Sequence, residues 1–236
     1  MKDFMNSKTR NTLRYATAIF GFLLVEYVLF LYVDRPLAAY TRSLDTSAHQ
    51  LIDFFRHITD LGKSKWYLWP CGLATIFCGF LARGKDVRPV YRRLFAYIGV
   101  RAFFLFATIG LSGLFADIVK PLAGRARPKL WLDNQIYGFA PFNTHGFLWN
   151  GMPSGHTTTA FALAFSLSIF YPRLRLLWFA YALLLGVSRV MVDAHYLSDV
   201  CAGAMLGWLT VHLFIKYGMI HVWKVIFPID SPLAKK

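Results

Sequence analysis

The chain has 236 residues, of which 56% are apolar, 17% aromatic and only 16% charged. A soluble domain carries about a quarter charged residues, so this composition argues against an ordinary soluble protein and points to one embedded in a membrane. The formal net charge of +14 does not indicate a nucleic-acid partner, because the Lys and Arg side chains gather at the ends of apolar runs, where they set topology and meet anionic phospholipid headgroups.

Taken in chain order, a basic start (Lys2, Lys8, Arg10, Arg14) precedes an apolar run at 15–33, interrupted by Glu26. The run is long for a signal sequence and reads as an uncleaved first span. In the mixed stretch 34–65, Leu44, Leu51, Phe54, Phe55, Ile58 and Leu61 recur at helical spacing beside acids and Arg56, which predicts an amphipathic helix lying on the interface. Further spans are predicted at 66–82, 94–119, 157–171, 176–192 and 200–215, six in all. Cys71, Cys78 and Cys201 fall inside apolar segments and read as packing residues, not a disulfide or metal set. No linker divides the chain, so residues 1–236 are expected to form a single integral membrane domain.

Under six spans, the amino terminus, residues 83–93, Arg173, Arg175 and the tail with Lys216, Lys224, Lys235 and Lys236 lie on one side. Their excess of Lys and Arg places that side, with both termini, in the cytoplasm. The segment 120–152 on the opposite side is basic as well and breaks the rule, unless its cations serve chemistry.

Three stretches on that opposite side carry such chemistry. The first is Lys120 with Arg127-Pro128; the second is Pro153-Ser154-Gly155-His156; the third is Ser188-Arg189, then His195 and Asp199. Lys120, Arg127 and Arg189 are three cations near a bilayer, and they call for an anionic guest. Arginine forks suit phosphate oxygens, while lysine supplies a point charge. Ser154 and Gly155 precede a helix, whose free amides and dipole also favour an anion. His195 and Asp199 are four residues apart, neighbours on one face if that turn is helical, and a carboxylate so placed can orient the imidazole. His195 is then a candidate nucleophile, and His156, from another segment, a candidate acid for the leaving oxygen.

These stretches resemble the three signature motifs of the type 2 phosphatidic acid phosphatase superfamily, which also includes glucose-6-phosphatase and the vanadium haloperoxidases. The motif resemblance covers residues 120–199; the preceding spans match only in number and placement. It implies an all-α, six-helix transmembrane bundle with an outward-facing active site, no cofactor and no required metal. It implies that His195 attacks phosphorus to give a phosphohistidine, with Asp199 orienting it and His156 as general acid. Lys120, Arg127, Ser154, Gly155 and Arg189 would bind the phosphoryl oxygens. Asp193 and Leu197 stand where relatives often have Gly and Pro, and neither change removes a catalytic group.

The expected function is therefore metal-independent hydrolysis of a lipid phosphate or diphosphate by a multi-pass protein of a bacterial inner membrane, acting at its outer face. Undecaprenyl diphosphate, phosphatidylglycerol phosphate, phosphatidic acid and lipid A phosphates all qualify as substrates. A lipid-to-lipid phosphotransferase would use the same histidine, and a non-catalytic lipid-binding or transport bundle is the reading from a different class. Beyond the motifs, Glu26 is expected to be protonated or paired with Arg101, and Asp117 to position Lys120. Arg125 and Lys129 read as rim or headgroup contacts, and His57 and His145 as ordinary loop or interface residues. The aromatic segment 131–149 is either a substrate mouth or a packed lid.

Overall fold

The computed structural model describes the backbone of residues 2–142 and 146–218, with side chains at residue 13 and from residue 16 onward in those ranges. His145 and the Lys and Arg side chains of both termini before Leu13 and beyond Gly218 lie outside the described residues. Within them, regular structure is helical throughout, and extended pairing is limited to an isolated bridge between Arg125 and Phe139.

Helix α1 (Lys2–Val28) continues through a π-helical stretch (Leu29–Val33) into α2 (Asp34–Ser47). The span expected at 15–33 is therefore part of a longer helix, Ala16–Ser47, and the interfacial helix expected from residue 34 begins later. The wider π turn falls just before Pro36, which lacks an N–H, so the missing donor does not end the helix. Helix α3 (His49–Thr59) is the amphipathic part: Ile52 is buried, while Asp53 and Arg56 are exposed and paired with each other. It packs on α8.

Next come α4 (Lys65–Arg83) and α5 (Pro89–Ala123). Helix α5 outruns the expected 94–119 at both ends, because Pro89 suits the first helical position and only Gly124, at φ 56°, turns the chain away in the left-handed region. A short α6 (Pro128–Asn134) leads to α7 (Gly155–Phe170), α8 (Arg175–Met191) and α9 (Leu197–Leu213).

Among the described residues, four helices are long and apolar enough to cross a bilayer: Ala16–Ser47, Pro89–Ala123, Pro172–Met191 and Leu197–Gly218. The other two expected spans coincide with α4 and α7. Helix α7 has 16 residues, about 24 Å of rise, short of the roughly 30 Å hydrocarbon core. It sits at the centre of the bundle against α5, α8 and α9, with Thr157 to Ala160 and Ala162 to Ala164 buried. Phe104 and Ile109 of α5, Ala162 and Leu163 of α7 and Val211 of α9 form the main core. Helix α9 crosses α7 closely: a methyl on Gly203 or Gly207 would fall within 2.8 Å of α7 or Ser154 backbone oxygens, the small-residue packing that lets membrane helices approach. The outward faces are apolar and bare, with Phe80 75% and Leu176 79% exposed. Water would not tolerate such faces, whereas lipid matches them. The chain is a membrane protein.

Candidate active site

The end of α5, the start of α7, the end of α8 and the start of α9 meet at one end of the bundle, and every residue singled out by the three motifs lies there. Lys120 is in the last turn of α5, Arg127 in the link to α6, and His156 in the first turn of α7. Arg189 ends α8, His195 lies in the following link, and Asp199 is in the first turn of α9.

His195 is 3% exposed. Its Nδ1 lies 2.7 Å from the carbonyl oxygen of Gly151. A carbonyl only accepts, so Nδ1 carries the proton and Nε2 presents a lone pair. That lone pair faces Arg127, whose Nη1 is 3.5 Å away. Asp199 was expected to hold the imidazole directly; its Oδ2 stands 3.6 Å from Nδ1 and instead accepts the Tyr196 N–H at 2.9 Å. The carboxylate thus caps α9 and lends charge to the ring, while Gly151 makes the hydrogen bond. Burial and the nearby Arg127 and Arg189 guanidiniums hold the His195 imidazole well below its ordinary value, against a smaller opposite pull from Gly151. In the free protein it is a neutral base.

The cations surround this base. Arg127 is fixed by three carbonyls, donating to Phe147 at 3.0 Å, Ala194 at 3.0 Å and Asn150 at 3.1 Å. Burial brings it down to about 10, which leaves it charged at neutral pH. Lys120 Nζ pairs with Asp117 at 2.6 Å, as expected, and sits over Gly155, where a side chain would come within 3.4 Å of it. Lys120, Arg127, Phe147 and Asn150 help line a cavity of about 380 Å³. Arg189 donates through Nη1 to Thr59 Oγ1 of α3, and its buried Nε finds no acceptor, leaving a donor for an anion. Ser154 is fully buried: its N–H donates to the Asp199 carbonyl at 2.9 Å, and its Oγ accepts from Thr157 at 3.0 Å. It locks the start of α7 to the start of α9 and keeps its own hydroxyl proton for a guest.

His156 packs against the turn after α3. A methyl on Gly62 would come within 2.8 Å of His156 Cδ2 and 2.9 Å of its Cβ, so only glycine leaves the ring its place. Thr59, Gly62 and Gly151 were not singled out from the sequence. Two act through space or a backbone carbonyl, which leave no mark in a sequence, and Thr59 is 130 residues from its partner.

One other expectation is corrected, and of the two offered for Glu26 the pairing falls away. Arg125 is not a rim contact: it is 0% exposed, held by Asp34 at 2.9 Å and ringed by Phe30, Tyr137, Phe139 and Tyr196. Glu26 does not pair with Arg101. Its buried carboxyl oxygens have no hydrogen-bond partner, whereas Arg101 donates to the Tyr97 carbonyl and stacks on the Tyr97 ring. Asp193 adopts φ 52°, where Gly and Asp are tolerated, and accepts from Thr41 at 2.6 Å, which accounts for an aspartate at that place.

Residues 101–222 match the PAP2 superfamily. A lipid A 1-phosphatase of Rhizobium etli is 35% identical over 181 residues, covering 76% of this chain and 77% of that protein. The chain belongs to the PAP2 superfamily. Its fold is similar to two solved structures. Aquifex aeolicus LpxE has a TM-score of 0.54 at 25% identity, covering 76% of this chain and 94% of that one. The Bacillus subtilis transmembrane phosphatidylglycerolphosphate phosphatase has a TM-score of 0.56 at 21% identity, covering 86% of this chain and 94% of that one. This PAP2 protein is a phosphatase.

Proposed function

We propose that this PAP2 protein hydrolyses the phosphate of a membrane lipid, of the lipid A phosphate class, through a covalent phosphohistidine on His195. The observation that carries the reading is the single tautomer of His195: with Nδ1–H committed to Gly151, Nε2 is a buried, unprotonated lone pair that faces the cations, with Arg127 Nη1 3.5 Å away. The activity named for the Rhizobium etli relative supports the substrate class.

Burial, Arg189 and His195 hold the His156 imidazole down to about 3 in the free protein, and the negative charge of the bound phosphate offsets these and lets His156 enter the first step protonated. Nε2 then attacks phosphorus in line, the P–O bond to the lipid breaks, and His156 gives its proton to the departing oxygen. Lys120, Arg127, Arg189, the Ser154 hydroxyl and the first amides of α7, including that of Gly155, hold the phosphoryl oxygens and offset charge that builds up on them. The phosphorylated ring is a cation, and the Asp199 carboxylate at 3.6 Å stabilises it. In the second step neutral His156 takes a proton from water, whose oxygen attacks phosphorus, and the P–N bond breaks to restore neutral His195.

The six-span topology belongs to the same reading, with termini in the cytoplasm and this site at the outer face. Phosphate release by purified protein from a panel of lipid phosphates tests the reading. Lipid A 1-phosphate should be cleaved fastest, with free phosphate as product; transfer of the phosphate to an added acceptor lipid would instead make the protein a phosphotransferase. For topology, Gln135→Cys should react with an impermeant thiol reagent on intact spheroplasts and Asp86→Cys should not, and the reverse pattern would invert the orientation. Among the described residues no group of three His, Cys, Asp or Glu side chains is arranged as a metal set, so turnover should persist in excess chelator. Vanadate, a mimic of five-coordinate phosphorus, should inhibit.

A further inference from the structure

Behind the histidine a line of alternating charge runs into the first helix. Asp199 Oδ1 lies 3.7 Å from Arg125 Nε, and Arg125 Nη2 donates to Asp34 Oδ2 at 2.9 Å. Exposure is 0% for Asp199, 0% for Arg125 and 1% for Asp34. Asp34 is the anchored end: it also accepts the Ser198 N–H at 3.1 Å and the Ser198 hydroxyl. The middle is different. Asp199 Oδ1 and Arg125 Nε and Nη1 have no hydrogen-bond partner, so Arg125 and Asp199 are coupled by charge alone. Four aromatic rings centred 4.5 to 4.7 Å from the guanidinium exclude water, and in such a medium charge acts strongly at that range.

We propose that Asp34 and Arg125 are positioning residues of the phosphatase: a buried pair, neither of them a fixed residue of the motifs, that balances the Asp199 carboxylate and thereby sets the basicity of His195. The proposal rests on the reading of His195 as nucleophile. Arg125 draws on the same carboxylate that stabilises the His195 cation. Asp34 offsets that draw, so Asp199 keeps enough free charge to favour the phosphorylated ring. A purely structural pair would only tie α2 to α9. A charge-balancing pair makes a further demand: loss of either member shifts His195, in opposite directions, and loss of both leaves it where it began.

Other charged and titratable groups face this line. Glu26 of α1 faces both Asp199 and Asp34, Cys201 of α9 lies by Glu26 and Asp34, and the Tyr137 and Tyr196 hydroxyls flank Arg125. Arg35 stacks on Tyr137. Arg127, Arg189 and Lys120 bear on His195 directly, and His156 faces His195 with Lys63 and Asp60 beyond it. All of these stay constant across the variants below, so differences between variants report the pair.

The experiment is the pH profile of kcat/KM for full-length protein in detergent: wild type, Asp34→Asn, Arg125→Met and the double variant, with His195→Ala as control. Asp34→Asn keeps the shape of the side chain, leaves Arg125 unbalanced, and should move the acid limb down by about half a pH unit or more. Its kcat should fall about tenfold with KM unchanged, as when a partner behind a reactive imidazole is lost. Arg125→Met should move the limb up, and the double variant should return it to the wild-type position. Unshifted limbs in proteins that release phosphate normally from a wild-type start overturn the proposal while leaving the nucleophile assignment intact. Full activity in His195→Ala overturns the underlying reading instead. Should Arg125→Met fail to fold, the isosteric Asp34→Asn decides alone: a wild-type limb there refutes the charge balance.

Discussion

The imidazole of His195 and the carbonyl oxygen of Gly151 are 2.7 Å apart, and this contact, rather than the Asp199 carboxylate, settles which nitrogen is free. A carboxylate behind a histidine ordinarily does two things: it selects the tautomer and it stabilises the cation. Here the tasks are divided between a backbone carbonyl and a side chain, and division of labour makes them separable.

Asp199→Asn should therefore leave the tautomer intact and remove only the charge. The expected rate loss is about 10- to 100-fold, below the roughly 10⁴-fold cost of a wrong tautomer. Single-turnover phosphorylation of each variant measures it. An Asp199→Asn protein as inactive as His195→Ala would mean that the carboxylate, not Gly151, governs the ring. The Tyr196 N–H can still be accepted by the amide oxygen of Asn, so the cap of α9 should survive the substitution.

The grouping of these residues was legible because their types are rare inside a membrane and their spacings are informative. Lys120, Arg127, His156, Arg189, His195 and Asp199 could be grouped on those grounds. What lay beyond was the surroundings. Arg125 sits two residues before Arg127 in a polar link, and a lone arginine near a bilayer normally snorkels outward; its burial is decided by Asp34, 91 residues earlier. Asp34-Arg35-Pro36 looks like a helix end, yet a π turn carries the helix through it. Helix α7 reads like any apolar span, but its buried Thr157, Thr158, Thr159 and Ser166 mark it as the central element, facing protein on most sides.

The pH dependence follows from the burial of His195. Desolvation first, then Arg127 and Arg189, hold its imidazole well below the ordinary range. The reactive form is the neutral one, present above that lowered value and lost as pH falls through it. The acid limb of kcat/KM should thus lie well below pH 6.5. Arg127→Gln removes one cation and should raise the limb, on top of a general loss of phosphate affinity. A lipid phosphate titrates too, but equally in both proteins, so the difference between the two profiles reports the groups that Arg127 faces, His195 foremost. A limb that stays put or moves down would contradict the assignment.

Gly62→Ala tests the seat of His156. The added methyl would meet His156 Cδ2 at 2.8 Å and Cβ at 2.9 Å, so the ring must move. Overpacking of this kind costs about 1–3 kcal/mol, readable as a lower Tm in detergent. The functional effect should be selective: a displaced general acid harms substrates whose leaving group needs a proton and spares those that do not. A uniform loss across substrates would show that Gly62 supports the fold alone.

The two histidines should separate most clearly by leaving group. His195→Ala removes the attacking nitrogen, so neither covalent intermediate nor product should rise above background with any substrate. His156→Ala removes only the proton donor, and general acid catalysis is typically worth about two to four orders of magnitude. That loss should be full for a phosphomonoester of a lipid alcohol, whose alkoxide cannot leave unprotonated. It should be partial for a diphosphate, whose departing phosphate is already a stable anion. For p-nitrophenyl phosphate it should be small, since the phenolate leaves unaided. Asp199→Asn should lower all three rates alike, because the charge it supplies acts on His195 whatever departs. The measurement is a grid of three variants against three leaving groups, with trapped phosphohistidine as a second readout. Should His195→Ala show the graded pattern and His156→Ala the uniform one, the nucleophile and the acid have been exchanged, and Gly151 then orients the proton donor.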